Sequence, residues 1–133
     1  MPNLPKYTRP AQARPKAPRR PTSDQKFYNS TGHLINRKQY IQENPLCEVH
    51  LSIDRYVDCT FGGVLDHIVG LPSNGAKFNP ENLMTLCPEC HNRKSGLEQH
   101  ESCLVQYREV EGENVPCEGE KQRIIERLAK YLV

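Results

Sequence analysis

The sequence predicts a small α+β domain in which two short strands and a helix are flanked by further helices. The chain has 133 residues, which is the size of one domain. Two short apolar runs, Val64-Leu65 and Leu83 to Leu86, are bounded by turn-forming residues and are typical of strands. Segments before and after them have the apolar spacing of helices. We expect one domain at residues 24–133, preceded by an arm.

Residues 1–23 differ in composition from the rest of the chain. They contain six Lys or Arg, six Pro and no acidic residue. Proline blocks regular helices and central strands, so we expect a disordered basic arm. Such an arm can bind DNA phosphates, although a solvated tail explains the same composition. The candidate DNA-binding residues of the arm are Arg14, Lys16, Arg19 and Arg20.

The first helix is predicted to begin at Ser30 or Thr31 and to end at Glu43. Either hydroxyl can cap the helix, and Asn44-Pro45 stops it because a residue before proline avoids helical geometry. Residues 70–80 are rich in turn formers, so a hairpin is expected to join the two strands. The residues expected on the buried face of this helix are Leu34, Ile35, Gln39, Tyr40 and Ile41.

A second helix is predicted to open at Cys87-Pro88, because proline is favoured at the first helical position. Gly96 is expected to end this helix early. Residues 109–119 combine glycine, proline and acidic residues, which predicts a loop. An amphipathic helix is then expected from Glu120 to Leu132. Its apolar face is predicted to contain Ile124, Ile125, Leu128 and Leu132.

The six cysteines point to a metal site more than to disulfides. The chain shows no apolar stretch suited to a signal peptide or a membrane span, so we expect a reducing, cytoplasmic setting and no membrane partner. Cys87 and Cys90, with two residues between them, then form half of a metal site. Cys47 and His50 have the same spacing 36 residues earlier. Four such ligands make a closed, structural zinc site.

Two alternatives to this ligand set stay open. Cys59 can replace His50 as the fourth ligand, or Cys47 is an ordinary buried thiol and His50 a surface imidazole. The chain has three Phe, no Trp and eleven Pro, so little apolar surface is available for a core. This shortage favours zinc as a stabilising element.

A second constellation combines Asp66, His67, Asn82 and His91. A carboxylate and an imidazole can hold a divalent cation, while another imidazole acts as a base at near-neutral pH. We assign Asp66 and His91 as ligands of a catalytic cation and His67 as general base, with Asn82 orienting His67 through a hydrogen bond. Taken singly, each residue also fits a turn, a cap or a surface position. Their order around Cys87 and Cys90 favours the joint interpretation.

Three stretches of the sequence together resemble a known family. Residues 43–50 read ENPLCEVH, residues 64–68 read VLDHI, and residues 79–94 read NPENLMTLCPECHNRK. They are similar to His-Asn-His (HNH) endonucleases with a zinc-stabilised ββα-metal, or His-Me finger, fold. Among these, the small bacteriophage and prophage enzymes encoded near DNA-packaging genes are the most similar. The resemblance covers residues 28–97, which leaves residues 98–133 as a C-terminal helical extension.

The resemblance implies a DNA endonuclease that uses a divalent cation and leaves 5′-phosphate and 3′-hydroxyl ends. Mg²⁺ or Mn²⁺ is the expected cation, with Ni²⁺ or Zn²⁺ as alternatives. It also implies a role in genome packaging beside the phage terminase, in the cytoplasm of a bacterial host. The sequence departs from the family in one place: His50 stands where the family usually has the second cysteine of a Cys-x-x-Cys pair.

Two further expectations concern contacts with DNA and a rival function. Arg93 and Lys94 follow His91 closely and are predicted to contact phosphates beside the cleaved bond, although solvated charges explain them equally. The rival to a nuclease is a non-catalytic zinc module that binds DNA or a packaging protein. The two hypotheses differ at His67, whose removal abolishes cleavage only in a nuclease.

Overall fold

The computed structural model describes residues 23–101 and 104–133. All four DNA-binding candidates of the arm, from Arg14 to Arg20, lie outside the described residues. The helices are α1 (Ser23–Tyr28), α2 (Thr31–Glu43), α3 (Glu48–Leu51), α4 (Pro88–His100) and α5 (Glu120–Ala129). The strands are β1 (Val64–His67), β2 (Leu83–Leu86), β3 (Tyr107–Val110) and β4 (Glu113–Pro116), and 3₁₀ turns lie at Leu71–Ser73 and Pro80–Asn82.

The centre of the molecule is the hairpin of β1 and β2 together with α4. The strands are antiparallel, with Val64 opposite Leu86 and His67 opposite Leu83. All four residues of β2 are buried. Because α4 begins at Pro88, directly after β2, the helix packs back onto the hairpin. This strand–strand–helix unit confirms the α+β prediction and sets Asp66 at the end of β1.

The apolar core is small and joins elements from both halves of the chain. It contains Val49 of α3, Met84 and Leu86 of β2, and Ile124 and Leu128 of α5, each at most 1% exposed. The predicted apolar face of α5 is therefore confirmed for Ile124, Ile125 and Leu128, with Leu132 partly buried. Across the described residues, no helix combines the length and apolarity needed to span a bilayer.

α2 has the predicted bounds but a different buried face. Ser30 caps it by accepting a hydrogen bond from the His33 amide at 3.2 Å. Its buried residues are His33, Tyr40 and Ile41, whereas Leu34 and Ile35 are 54% and 62% exposed. The prediction for Leu34 and Ile35 was wrong because the face that meets β1 follows the helical repeat from residue 33, not from residue 34.

The C-terminal part differs from the sequence prediction at two points. α4 does not end at Gly96 but continues to His100, since the backbone there keeps its helical hydrogen bonds. Residues 109–119 are not a loop, because most of them belong to the antiparallel hairpin of β3 and β4. The turn between these strands places Glu111 at φ 53° and Gly112 at φ 83°. Two positive φ angles are the signature of a tight hairpin turn, which the acidic composition concealed.

Candidate active site and metal centre

A buried cluster of three cysteines and one histidine lies between α3 and α4. Cys47 and Cys87 directly precede these two helices, and His50 and Cys90 lie within them. Each residue offers one ligand atom, and these four atoms all lie within 4.8 Å of one another. His50 Nδ1 lies 3.2 Å from Cys47 Sγ and 3.7 Å from the Sγ atoms of Cys87 and Cys90. The four predicted ligands therefore converge on one point.

The donor set and its spacing fit a structural zinc ion. Zinc bonds of ordinary length in a tetrahedron separate sulfur from nitrogen by about 3.6 Å. The separations around His50 Nδ1 are close to that value. Cys59 is buried as well, but it is not among the four clustered residues and its thiol contacts the Val57 carbonyl. Burial raises the pKa of Cys59 to about 11, so its thiol stays protonated. The geometry selects His50 over Cys59 as fourth ligand.

Asp66, His67 and His91 line a single cleft of about 490 Å³. Asp66 and His67 are neighbours on β1, so their side chains leave the strand on opposite sides. Asp66 faces α4, where its Oδ1 lies 3.8 Å from His91 Nε2. His67 faces α1 and α2, with its ring centroid 5.8 Å from that of Phe27. The three residues predicted for catalysis thus meet at one opening.

Lys94 does not occupy the surface position expected of a phosphate contact. Its side chain is only 1% exposed, and its ammonium lies 3.0 Å from Asp66 Oδ2 and also pairs with Glu98. It donates a further hydrogen bond to the His67 carbonyl at 3.3 Å. Burial raises the pKa of Asp66, and the charge of Lys94 opposes that rise. Lys94 is therefore a buried partner of the site carboxylate, and its burial corrects the predicted phosphate contact.

The imidazole of His67 is prepared to accept a proton. Its Nε2 lies 3.0 Å from the Lys77 carbonyl, which can only accept, so Nε2 carries the hydrogen. Burial lowers the pKa of His67, which keeps the ring neutral near pH 7. In that neutral ring Nδ1 has a free electron pair, and no hydrogen-bond partner for it exists among the described residues.

Asn82 does not contact His67, contrary to the sequence prediction. Its side chain is fully buried, and its Nδ2 donates to the carbonyls of Val69 at 3.1 Å and Ala76 at 2.8 Å. Its Oδ1 accepts from the Val69 amide at 2.7 Å. These bonds close the loop between β1 and β2, which also carries Lys77. Asn82 therefore acts on His67 at one remove, through the loop that supplies the Lys77 carbonyl.

Arg93 points away from the cleft. It lies two residues beyond His91 on α4, a spacing that places the two side chains on different helix faces. Its guanidinium pairs with Glu89 at 3.0 Å and lies 5.2 Å from the centre of the Tyr131 ring. The structure thus connects Arg93 with the end of α5 and does not bring it to the site at which Asp66 and His91 meet.

Several cleft residues escaped the sequence reasoning. His33 and Arg37 of α2 line the cleft together with Tyr28, Ser95 and Glu98. His33 and Arg37 are four residues apart, which places them on one helix face. Burial lowers the pKa of His33, and the nearby positive charges of His67 and Arg37 lower it further. The helical spacing of these two polar residues was a usable signal, but attention to Leu34 and Ile35 obscured it.

Fold and site together define a small α+β protein with a Cys/His metal centre beside a cleft lined by acidic and imidazole side chains. The family model described as HNH endonuclease matches residues 61–96 of the chain. This segment contains β1, β2 and most of α4, and with them Asp66, His67, Asn82 and His91. No curated protein and no solved structure matches the chain. The match indicates a metal-using nuclease with DNA as substrate.

Proposed function

We propose that this protein is a divalent-metal-dependent DNA endonuclease that hydrolyses phosphodiester bonds to leave 5′-phosphate and 3′-hydroxyl ends. The proposal depends above all on the convergence of Asp66, His67 and His91 in one cleft. Outside that cleft, the Cys47–His50–Cys87–Cys90 cluster has no vacant ligand position and suits a structural zinc. Catalysis therefore belongs to the cleft and not to the zinc.

The residues of the cleft divide the work of phosphodiester hydrolysis among them. Asp66 Oδ1 and His91 Nε2 supply the oxygen and nitrogen ligands that a divalent cation accepts. Such a cation, with Mg²⁺ or Mn²⁺ proposed, neutralises charge on the scissile phosphate and stabilises the departing 3′ oxygen. His67 Nδ1 takes the proton of the attacking water as the water oxygen bonds to phosphorus and the bond to the 3′ oxygen breaks. Asn82 and Lys77 keep His67 in the required tautomer.

Plasmid nicking tests the proposal directly. Wild-type protein should convert supercoiled plasmid to open circles when Mg²⁺ or Mn²⁺ is present and not in its absence. His67→Ala should lower the rate by a factor of 10² or more, roughly the contribution of a general base. His100→Ala, at the exposed end of α4, is the matched control and should nick normally. Zinc content must be equal in all three proteins.

The same assay separates the nuclease from the rival zinc module. A non-catalytic module binds DNA or protein without nicking, so His67→Ala has nothing to remove. Absence of nicking by zinc-loaded wild-type protein with either cation, or equal nicking by His67→Ala, would falsify the nuclease proposal.

We also propose that the enzyme acts in phage genome packaging beside the terminase, in the bacterial cytoplasm. The support is the similarity of residues 28–97 to packaging-associated members of the HNH family. A terminase large subunit from the same genome should co-purify with the protein and raise its nicking rate. If neither occurs, the packaging role is excluded while the nuclease activity stands.

A further inference from the structure

The geometry points to a DNA phosphate-binding subsite formed by Arg37 and His33 of α2, on the wall of the cleft that faces away from α4. This inference rests on the proposed nuclease function and names how its substrate is held. The subsite lies before residue 61 and so outside the segment that the HNH model matches. Its ligand is a phosphodiester of the DNA strand whose cleavage occurs at His67.

Arg37 is fixed in place but retains unused hydrogen-bonding capacity. One of its nitrogens, Nη2, donates to the Gly63 carbonyl at 2.6 Å. Within the described residues no carboxylate lies in ion-pair range of Arg37. Four other arginines of the same residues do pair with glutamates: Arg93, Arg108, Arg123 and Arg127. A partly buried guanidinium without an acid suits an anionic ligand, and its planar fork matches phosphate oxygens.

His33 connects Arg37 with the catalytic base. It is 5% exposed and lines the cleft, and its ring centroid lies 6.0 Å from that of His67. Its Nδ1 has no hydrogen-bond partner among the described residues. A buried polar atom without a partner is costly, so such an atom beside a binding cleft favours a ligand that completes it.

The charges on the two sides of the cleft complement a DNA strand. The α4 side carries Asp66 and Glu98, and these two carboxylates share the ammonium of Lys94. The α2 side carries Arg37 and no acidic residue of the cleft. DNA brings a negative charge at every phosphate, so the α2 side is where a phosphate next to the scissile one is stabilised.

α2 is held firmly enough to serve as this wall. The Tyr40 hydroxyl donates to the Leu83 carbonyl of β2 at 2.9 Å, one turn beyond Arg37. The bond from Arg37 to Gly63 fastens the same helix to the segment that leads into β1. The subsite therefore keeps its position relative to His67 on β1.

DNA binding by matched arginine variants tests the subsite. Arg37→Gln is compared with Arg55→Gln, because Arg55 also donates to a backbone carbonyl, that of Leu132, and does not line the cleft. Both are made in a His67→Ala background that prevents cleavage, and a labelled duplex is titrated at several salt concentrations. Arg37→Gln should bind about tenfold more weakly, with a salt slope smaller by about 0.9, whereas Arg55→Gln should match its parent.

Equal affinity and equal salt slope for the Arg37→Gln and Arg55→Gln proteins would overturn the subsite. If Arg37→Gln loses its zinc or its circular dichroism spectrum, modification of the wild-type protein by phenylglyoxal decides instead. DNA should then protect Arg37 and leave Arg55 reactive, and equal modification of Arg37 with and without DNA refutes the proposal. His33→Phe, which keeps a ring but loses both nitrogens, should weaken binding without a change in salt slope.

The results separate this inference from the nuclease proposal. Binding that depends on Arg37 in a protein that does not nick with Mg²⁺ or Mn²⁺ excludes the nuclease and leaves a DNA-binding subsite. Nicking by a protein whose DNA affinity is independent of Arg37 has the reverse meaning.

Discussion

Lys94 is the residue on which the electrostatics of the cleft depend most. An ammonium that is 1% exposed is tolerated because two carboxylates and a carbonyl surround it. Its position also fixes Asp66, whose Oδ2 faces Lys94 while Oδ1 is directed to His91. Lys94 thereby leaves one oxygen of Asp66 for a cation. We regard it as a positioning residue for the metal ligand.

Replacing Lys94 should destabilise the protein strongly. Lys94→Met keeps most of the buried volume but leaves Asp66 without a counter-charge, and removal of one partner of a buried pair costs about 3 kcal/mol. Urea unfolding followed by circular dichroism measures the loss. Lys38→Met, at an exposed position of α2, should change stability by less than about 0.5 kcal/mol.

A double variant decides whether the ion pair is the cause. Lys94→Met combined with Asp66→Asn removes both charges and should recover part of the stability that Lys94→Met alone loses. If the double variant is as unstable as the sum of its two changes, the cost of Lys94→Met comes from packing and the ion-pair account is wrong.

Asn82 gives a second prediction, because its role differs from the one that its sequence position suggested. Asn82→Ala leaves two carbonyls and one amide of the loop without partners, which should cost roughly 3 kcal/mol. Stability and nicking rate should fall together, since the loop also holds the Lys77 carbonyl. Asn92→Ala, exposed on α4, serves as control. A variant of normal stability that has lost only its activity would instead support direct action on His67.

The contrast between Asn82 and the metal ligands shows which residue roles the sequence can predict. Cys47, His50, Cys87 and Cys90 were predicted from spacing, because zinc dictates both ligand type and ligand number. Hydrogen-bond partners depend instead on how a loop folds over a side chain, and no spacing in the sequence encodes the bonds from Asn82 to Val69 and Ala76. The burial of Lys94 was likewise hidden, since lysine is rarely buried unless it is paired.

At the scale of the elements, helices with clear end signals were predicted well and their faces less well. Ser30 and Asn44 mark both ends of α2, because caps act locally. The buried face of α2 depends on its neighbours, and a cleft lined by His33 and Arg37 reverses the usual expectation that apolar residues point inward. The hairpin of β3 and β4 was missed because its residues are largely exposed and carry little apolar alternation.

Two glycines test the boundaries of these elements. A methyl group at Gly96, inside α4, meets no atom within 4 Å, so Gly96→Ala should stabilise the protein by about 0.8 kcal/mol through helix propensity. Gly112→Ala also meets open space, but φ of 83° strains any other residue and should cost about 1 kcal/mol. Urea unfolding of both variants gives the signs. Destabilisation by Gly96→Ala would mean that α4 ends there after all.

For the whole molecule, the central question is what keeps so small a core folded. The chain has few large apolar residues, and its main buried cluster includes the cysteines of the metal centre. Zinc at this centre connects α3 with the start of α4, two segments that are distant in sequence. The core and the cleft share α4, so loss of the metal should disturb the position of His91 as well as the stability.

Zinc removal should therefore unfold the protein cooperatively. We expect one zinc per chain by plasma mass spectrometry, and a melting temperature lower by about 10 °C or more once zinc is removed or Cys87→Ser is introduced. His50→Cys, which completes a second Cys-x-x-Cys pair, should keep its zinc, because a thiolate replaces the imidazole as ligand. Cys59→Ser should also keep it, because Cys59 lies outside the four-residue cluster. Loss of zinc from Cys59→Ser but not from Cys87→Ser would assign the wrong ligands to this centre.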